Sequence, residues 1–192
     1  MRFVALASIN DGSSLDDPAR ISEVARSARI ELKGEPDSLR VFLNGDDVSD
    51  AIRTLEIAQA ASVVSTISDV RKTMVELQRR LGEESPAGCV LEGRDIGTVV
   101  FPNADIKFFL TAKPEARARR RFDEDKTKGR VSTYEQTLAE INERDARDVS
   151  RSDSPLTIAD DAVVIDTSEL DLSEVFDQMV GKINEKRTAA AL

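Results

Sequence analysis

Apolar positions along this 192-residue chain change their spacing near residue 88, and the change separates two kinds of element. Before it, helical spacing dominates. The opening "MRFVALASI" reads as the start or the middle of a helix, since the run breaks at Asn10-Asp11-Gly12, too soon for a secretory leader. Asp17 followed by Pro18, with Ile21, Val24, Ala25 and Ala28 at intervals of three and four, predicts a capped amphipathic helix. "RIELK" and "LRVFLN" alternate and are separated by "GEPDS", which predicts an antiparallel hairpin, with "NGDD" turning the chain again. Two helices are predicted at roughly 54–66 and 69–82.

Beyond residue 88 the apolar runs become short and nearly continuous: "CVLEG", "IKFFLTA" and "AVVID". Runs of this kind predict parallel strands buried on both faces. Helical patterns intervene at about 114–126 and 133–150, and Val175, Phe176, Met179 and Ile183 mark a last amphipathic helix. Strands alternating with helices predict an α/β fold with a doubly wound, largely parallel sheet, in one domain over 1–192 that carries the hairpin as a small antiparallel insert.

Composition narrows the chemistry. With 40% hydrophobic and 33% charged residues, the chain has enough material for one ordinary soluble domain. No apolar stretch approaches the roughly 20 residues that span a bilayer. Cys89 is the only cysteine, which rules out an internal disulfide, fits a reducing cytoplasm, and predicts a small buried residue in a strand. The absence of histidine removes Ser-His and Cys-His nucleophile pairs and histidine metal sites together. Chemistry must rest on Arg, Lys, Asp and Glu. A net charge of −9 argues against a nucleic-acid binder, yet arginines cluster at 117–121 and in "ERDARDVSRSDS" at 143–154, a pattern better suited to a small anion.

"GRD" at 93–95 follows "CVLE", at the kind of strand end where α/β sheets hold ligands. Arg94 can fork onto a phosphate and Asp95 can accept from an amino group; a structural Arg–Asp pair stands as the equal alternative. Arg144, Asp148 and Arg151 share one face of the 133–150 helix, where a solvated face of ion pairs is the plainer reading. Arg117, Arg120 and Arg121 line one face of the preceding helix, with Arg119 beside them. Four arginines in five residues repel one another, which predicts an intermittently bound anion.

Three segments carry a resemblance: "LNGDDVSDAIRTLEIAQAASVVSTISDVRKTMVELQRRL", "EGRDIGTVVFPNADIKFFLTA" and "INERDARDVSRSDSPLTIADDAVVIDTS". In order and over essentially the whole chain, they resemble the cytidylate kinases, nucleoside monophosphate kinases with a P-loop fold. The resemblance implies transfer of the ATP γ-phosphoryl group to CMP or dCMP. It implies that Ser62, Arg71 and Asp95 contact cytosine, that Arg2, Arg94 and Arg151 hold the nucleotide's phosphate, and that Arg144 and Asp148 bind phosphate or ribose. It further implies a CMP-binding insert at about 14–70 and a mobile lid at about 114–132, whose Arg117, Arg120 and Arg121 close over the donor phosphates. Catalysis would fall to Arg94, Asp95, Arg120 and Arg121 in a cytoplasmic monomer. Magnesium would be held mainly by ATP oxygens and water, with no protein metal cage.

The family's G-x-x-x-x-G-K-[ST] is not in this sequence, where Gly-Lys occurs once, at Gly181-Lys182. The expectation is therefore a kinase shortened at its amino terminus and inactive by itself, with a slot between strands 88–92 and 105–110 that lowers its stability. A CMP-binding or scaffold fragment without catalysis is the alternative.

Overall fold

The computed structural model describes residues 1–35, 37–86, 88–150 and 156–190. They form two compact units, Met1–Cys89 and Val90–Leu192.

In the first unit, helix α1 (Arg2–Asn10) buries Val4 and Ala5 completely. Helix α2 (Pro18–Ser27) begins where the sequence predicts: the Asp17 carboxylate accepts the Arg20 backbone N–H at 3.0 Å, and Pro18 sits where no amide partner is needed. Strands β1 (Ile30–Lys33), β2 (Arg40–Leu43) and β3 (Asp46–Asp47) form an antiparallel sheet in that order, with Ile30 opposite Leu43 and Phe42 opposite Asp47. The β2–β3 turn is the two-residue Asn44-Gly45, with φ of 54° and 98°, the left-handed pair that matches strand twist. A 3-10 turn (Ala51–Arg53) leads to helix α3 (Leu55–Val64), capped by the Thr54 hydroxyl, and to helix α4 (Ser68–Glu83). The main core joins Val4 and Ala5 of α1 to Ile21 of α2, Ile57 and Val64 of α3, and Val70 and Met74 of α4. A smaller cluster of Ala7, Val24, Ile30, Leu43 and Val48 fixes the hairpin to the other side of α1 and α2.

Asp47 closes this sheet. Its carboxylate accepts from the Ser49 hydroxyl at 2.7 Å, the Ser49 N–H at 3.0 Å and Arg40 at 2.7 Å. The Ser49 hydroxyl and amide, followed by Arg40, hold its pKa at about 2, below the ordinary 3.8. A depressed folded pKa means that the unfolded chain binds the proton first. The contribution is complete above about pH 4 and is lost as pH falls towards about 2. Carboxyl NMR is expected to show Asp47 titrating near 2, with amide protection of β2 and β3 fading over that range; a midpoint near 4 would contradict the network.

The second unit opens with a one-turn π-helix (Ile96–Val100). Strand β4 (Phe108–Thr111), helices α5 (Pro114–Thr127) and α6 (Tyr134–Ser150), strand β5 (Val163–Asp166) and helix α7 (Leu172–Ala190) follow. β4 and β5 pair in parallel, Phe108 against Val163 through Thr111 against Asp166, so α5 and α6 make the crossover. Buried Lys107 braces the start of β4, its ammonium bonded to Asp161 at 2.7 Å and to the Pro102 carbonyl. Its aliphatic stem fills the bare face of Gly97, where a Cβ would meet Lys107 Cδ at 3.3 Å.

The chain is thus mixed α/β with a parallel pair and flanking helices, but several expectations change. Residues 88–92 form no strand: Cys89 is exposed and Val90 is 100% exposed. A strand persists by hydrogen-bonding to a neighbour, and among the described residues β4 and β5 pair only with each other. The expected slot between 88–92 and 105–110 consequently has only one of its walls. The parallel strands are also not buried on both faces, since Leu110 and Val164 are about half exposed. Helix α7 covers little, its Val175, Met179 and Ile183 being half-buried and Phe176 exposed. Among the described residues, no helix is long and apolar enough to cross a membrane.

Candidate functional site

Three of the predicted residues lie in the first unit. Arg2 opens α1 and donates to the Ile52 carbonyl at 2.9 Å. Ser62 is half-buried on α3, and Arg71 is buried in the first turns of α4. The α3–α4 turn brings these two together through Ser65. Its hydroxyl donates to the Ser62 carbonyl at 2.8 Å, and its own carbonyl receives a long contact from Arg71 at 3.5 Å.

The others belong to the second unit. Arg94 and Asp95 stand not at a strand end but just ahead of the π-helix, whose Val99 and Val100 amides donate to the Asp95 carbonyl at 2.8 and 3.2 Å. Arg94 is ion-paired with Asp148 of α6 at 3.0 Å, and Arg144 approaches the same carboxylate at 3.9 Å. Asp148 is 1% exposed, so the face read as solvated carries a carboxylate inside the protein, held between guanidinium groups. Arg151 lies outside the described residues.

The α5 arginines all have partners within the chain. Arg117 forks onto Asp145 at 3.0 and 2.6 Å and sets its Nε–H on the Ala112 carbonyl at 3.1 Å. Arg121 pairs with Glu140 at 3.2 Å, and Arg119 stacks over the Tyr134 ring at 4.8 Å. Arg120 bonds to the Thr167 hydroxyl at 3.2 Å, to the Leu170 carbonyl at 3.0 Å and to the Thr167 carbonyl. Carboxylates of α6 and carbonyls after β5 therefore offset the mutual repulsion from within the chain. The Asp145 fork holds the Arg117 guanidinium above its usual range; the same bond holds the Asp145 carboxyl below its own, helped by the charges of Arg94 and Arg144.

Asp145 and Glu140 are the residues that local spacing misses. Their partners lie 28 and 19 positions earlier in the chain, and only the antiparallel packing of α5 on α6 joins them. The six-residue connection between these helices is the available signal, because short links make antiparallel neighbours.

The cytidylate kinase family profile matches residues 1–185. The cytidylate kinase of Caldanaerobacter subterraneus subsp. tengcongensis is 47% identical over 184 residues, covering 96% of this chain and 80% of the relative. Those of Halalkalibacterium halodurans and Bacillus subtilis are 44% and 41% identical, each covering 96% of this chain and 82% of the relative. Arginines and carboxylates pair with one another on a mixed α/β scaffold. The chain belongs to the cytidylate kinase family, a family of kinases.

Proposed function

We propose that this chain serves the transfer of the γ-phosphoryl group of ATP to CMP or dCMP, giving the diphosphate and ADP, and that it supplies the acceptor side of that reaction. The observation that carries the reading is the family match over 1–185, which includes every residue assigned to the acceptor nucleotide. In this reading Ser62, Arg71 and Asp95 read the cytosine. Arg2, Arg94 and Arg151 neutralise its phosphate, and Arg144 and Asp148 meet phosphate or ribose. Permanently charged arginines suit the task, since an acceptor phosphate oxygen must approach an already anionic γ-phosphoryl group. Asp148, nearly without access to solvent, acts chiefly by fixing Arg94.

Gly181-Lys182 lies in the interior of α7, where helical hydrogen bonding occupies the backbone amides, so it makes no phosphate loop. Arg117, Arg120 and Arg121 are the donor-phosphate candidates, all engaged within the protein as described. Among the described residues, no group of three or more Cys, Asp or Glu side chains gathers to hold a metal. In this reading magnesium would travel on the nucleotide's oxygens. The second reading is a CMP-binding protein without turnover.

Calorimetric titration with CMP, dCMP and UMP, alongside ATP-dependent formation of CDP, tests both readings. CMP-selective binding with turnover establishes the first, and CMP-selective binding with no detectable turnover establishes the second. Failure to prefer cytosine nucleotides defeats both.

A further inference from the structure

Asp145 grips Arg117 with two parallel bonds, the geometry by which arginine also takes a phosphate. Asp145 does not have to orient that fork. The Ala112 carbonyl already fixes the plane of the guanidinium through Nε–H at 3.1 Å. Both partners are about a third exposed, so an anion from solvent can reach them. The Asp145 carboxylate also feels the charges of Arg94 and Arg144. It occupies the point where the fields of three guanidinium groups converge, the point to which a multiply charged oxyanion is drawn.

We infer that Asp145 is an internal anion that occupies the Arg117 fork in place of a phosphoryl group and must be displaced by one, so that it weakens phosphate binding in the resting protein. The inference rests on the kinase reading of the α5 arginines and names a control on that site. Displacement exchanges one charged hydrogen-bonded pair for another. The pair at rest is singly charged and partly hydrated, and the pair with phosphate carries more charge. Glu140 on Arg121, at 3.2 Å and more exposed, is the looser companion.

Inorganic tripolyphosphate is the probe, titrated calorimetrically at low salt into the wild type, Asp145→Asn, Arg117→Ala and the double variant. Asp145→Asn is expected to bind it roughly three- to tenfold more tightly, the fold-change of a partly exposed charged pair. Arg117→Ala should bind more weakly. In that background Asp145→Asn should gain less than about twofold, because the fork it blocked is gone. Equal or weaker binding by a folded Asp145→Asn overturns the inference, as does a gain undiminished in the double variant or no binding by any form. Should Asp145→Asn not fold, as judged by circular dichroism, the wild type decides by NMR. Saturating tripolyphosphate must move the Arg117 Nε–Hε and Asp145 carboxyl resonances together; a stationary Asp145 resonance overturns the inference. Titrating CMP into the same variants distinguishes the sources. A gain for tripolyphosphate alone places donor phosphates at the fork, and an equal gain for CMP places the acceptor's there. Absence of any cytosine preference defeats the kinase reading without touching the tripolyphosphate result.

Discussion

Replacing Arg94 by alanine is expected to lower the free energy of unfolding by about 2–3 kcal/mol, because it takes an ion-pair partner at 3.0 Å from a buried carboxylate. Asp148 is 1% exposed and has Arg94 at 3.0 Å, while Arg144 lies at 3.9 Å and is itself largely in solvent. Removing one partner of a fully buried pair costs about 3–5 kcal/mol. Arg94, 39% exposed, keeps some hydration, and that places the effect at the lower end. Urea denaturation measures it, and Asp148→Asn in the Arg94→Ala background should restore part of the loss, since an amide needs no counter-ion. A single-variant cost below about 0.5 kcal/mol would mean that Arg94 is not what neutralises Asp148. The same pair of variants separates roles in binding. Arg94→Ala should weaken every nucleoside monophosphate, and Asp148→Asn should act through the orientation of Arg94.

Ile21→Ala is expected to be at least as damaging, at about 3 kcal/mol, from lost transfer energy and the cavity left behind. Ile21 is 0% exposed and packs within the cluster that joins α1, α2, α3 and α4. Ile21→Val, which removes one methylene, should cost about 1 kcal/mol. Hydrogen exchange should report the damage as lost protection across these four helices. A cost for Ile21→Ala below about 1 kcal/mol would show that the helices close over the space.

The first unit was largely legible in the sequence because its determinants are local. The Asp17-Pro18 cap, the alternation of "RIELK" and "LRVFLN" and the Asn44-Gly45 turn each specify their own backbone within a few residues. Strand pairing is not local, and there the reading failed. "CVLEG" has strand composition, but composition supplies no hydrogen-bonding neighbour, and the segment lies in coil with Cys89 and Val90 in solvent. The arginines of α5 show the same limit for side chains. Four like charges in five residues need compensation, which the sequence reading assigns to an intermittently bound anion. Asp145 and Glu140 provide it through tertiary packing. Among the candidate residues, Ser62 and Arg71 are both bonded to Ser65, and Arg94 meets Asp148, which Arg144 also approaches.

Arg120 gives helix α5 a fulcrum. Its guanidinium is bonded to Thr167 and Leu170 in the segment that follows β5. Any displacement of α5 that keeps those bonds is a rocking about that point. At about 1.5 Å of rise per residue, Arg117 sits roughly 4.5 Å along the axis on one side and Arg121 roughly 1.5 Å on the other. The two lever arms differ threefold and swing in opposite senses. A tilt large enough to pull Arg117 off Asp145 therefore moves Arg121 from Glu140 only about a third as far, and the far end at Thr127, roughly 10 Å from the fulcrum, sweeps the widest arc.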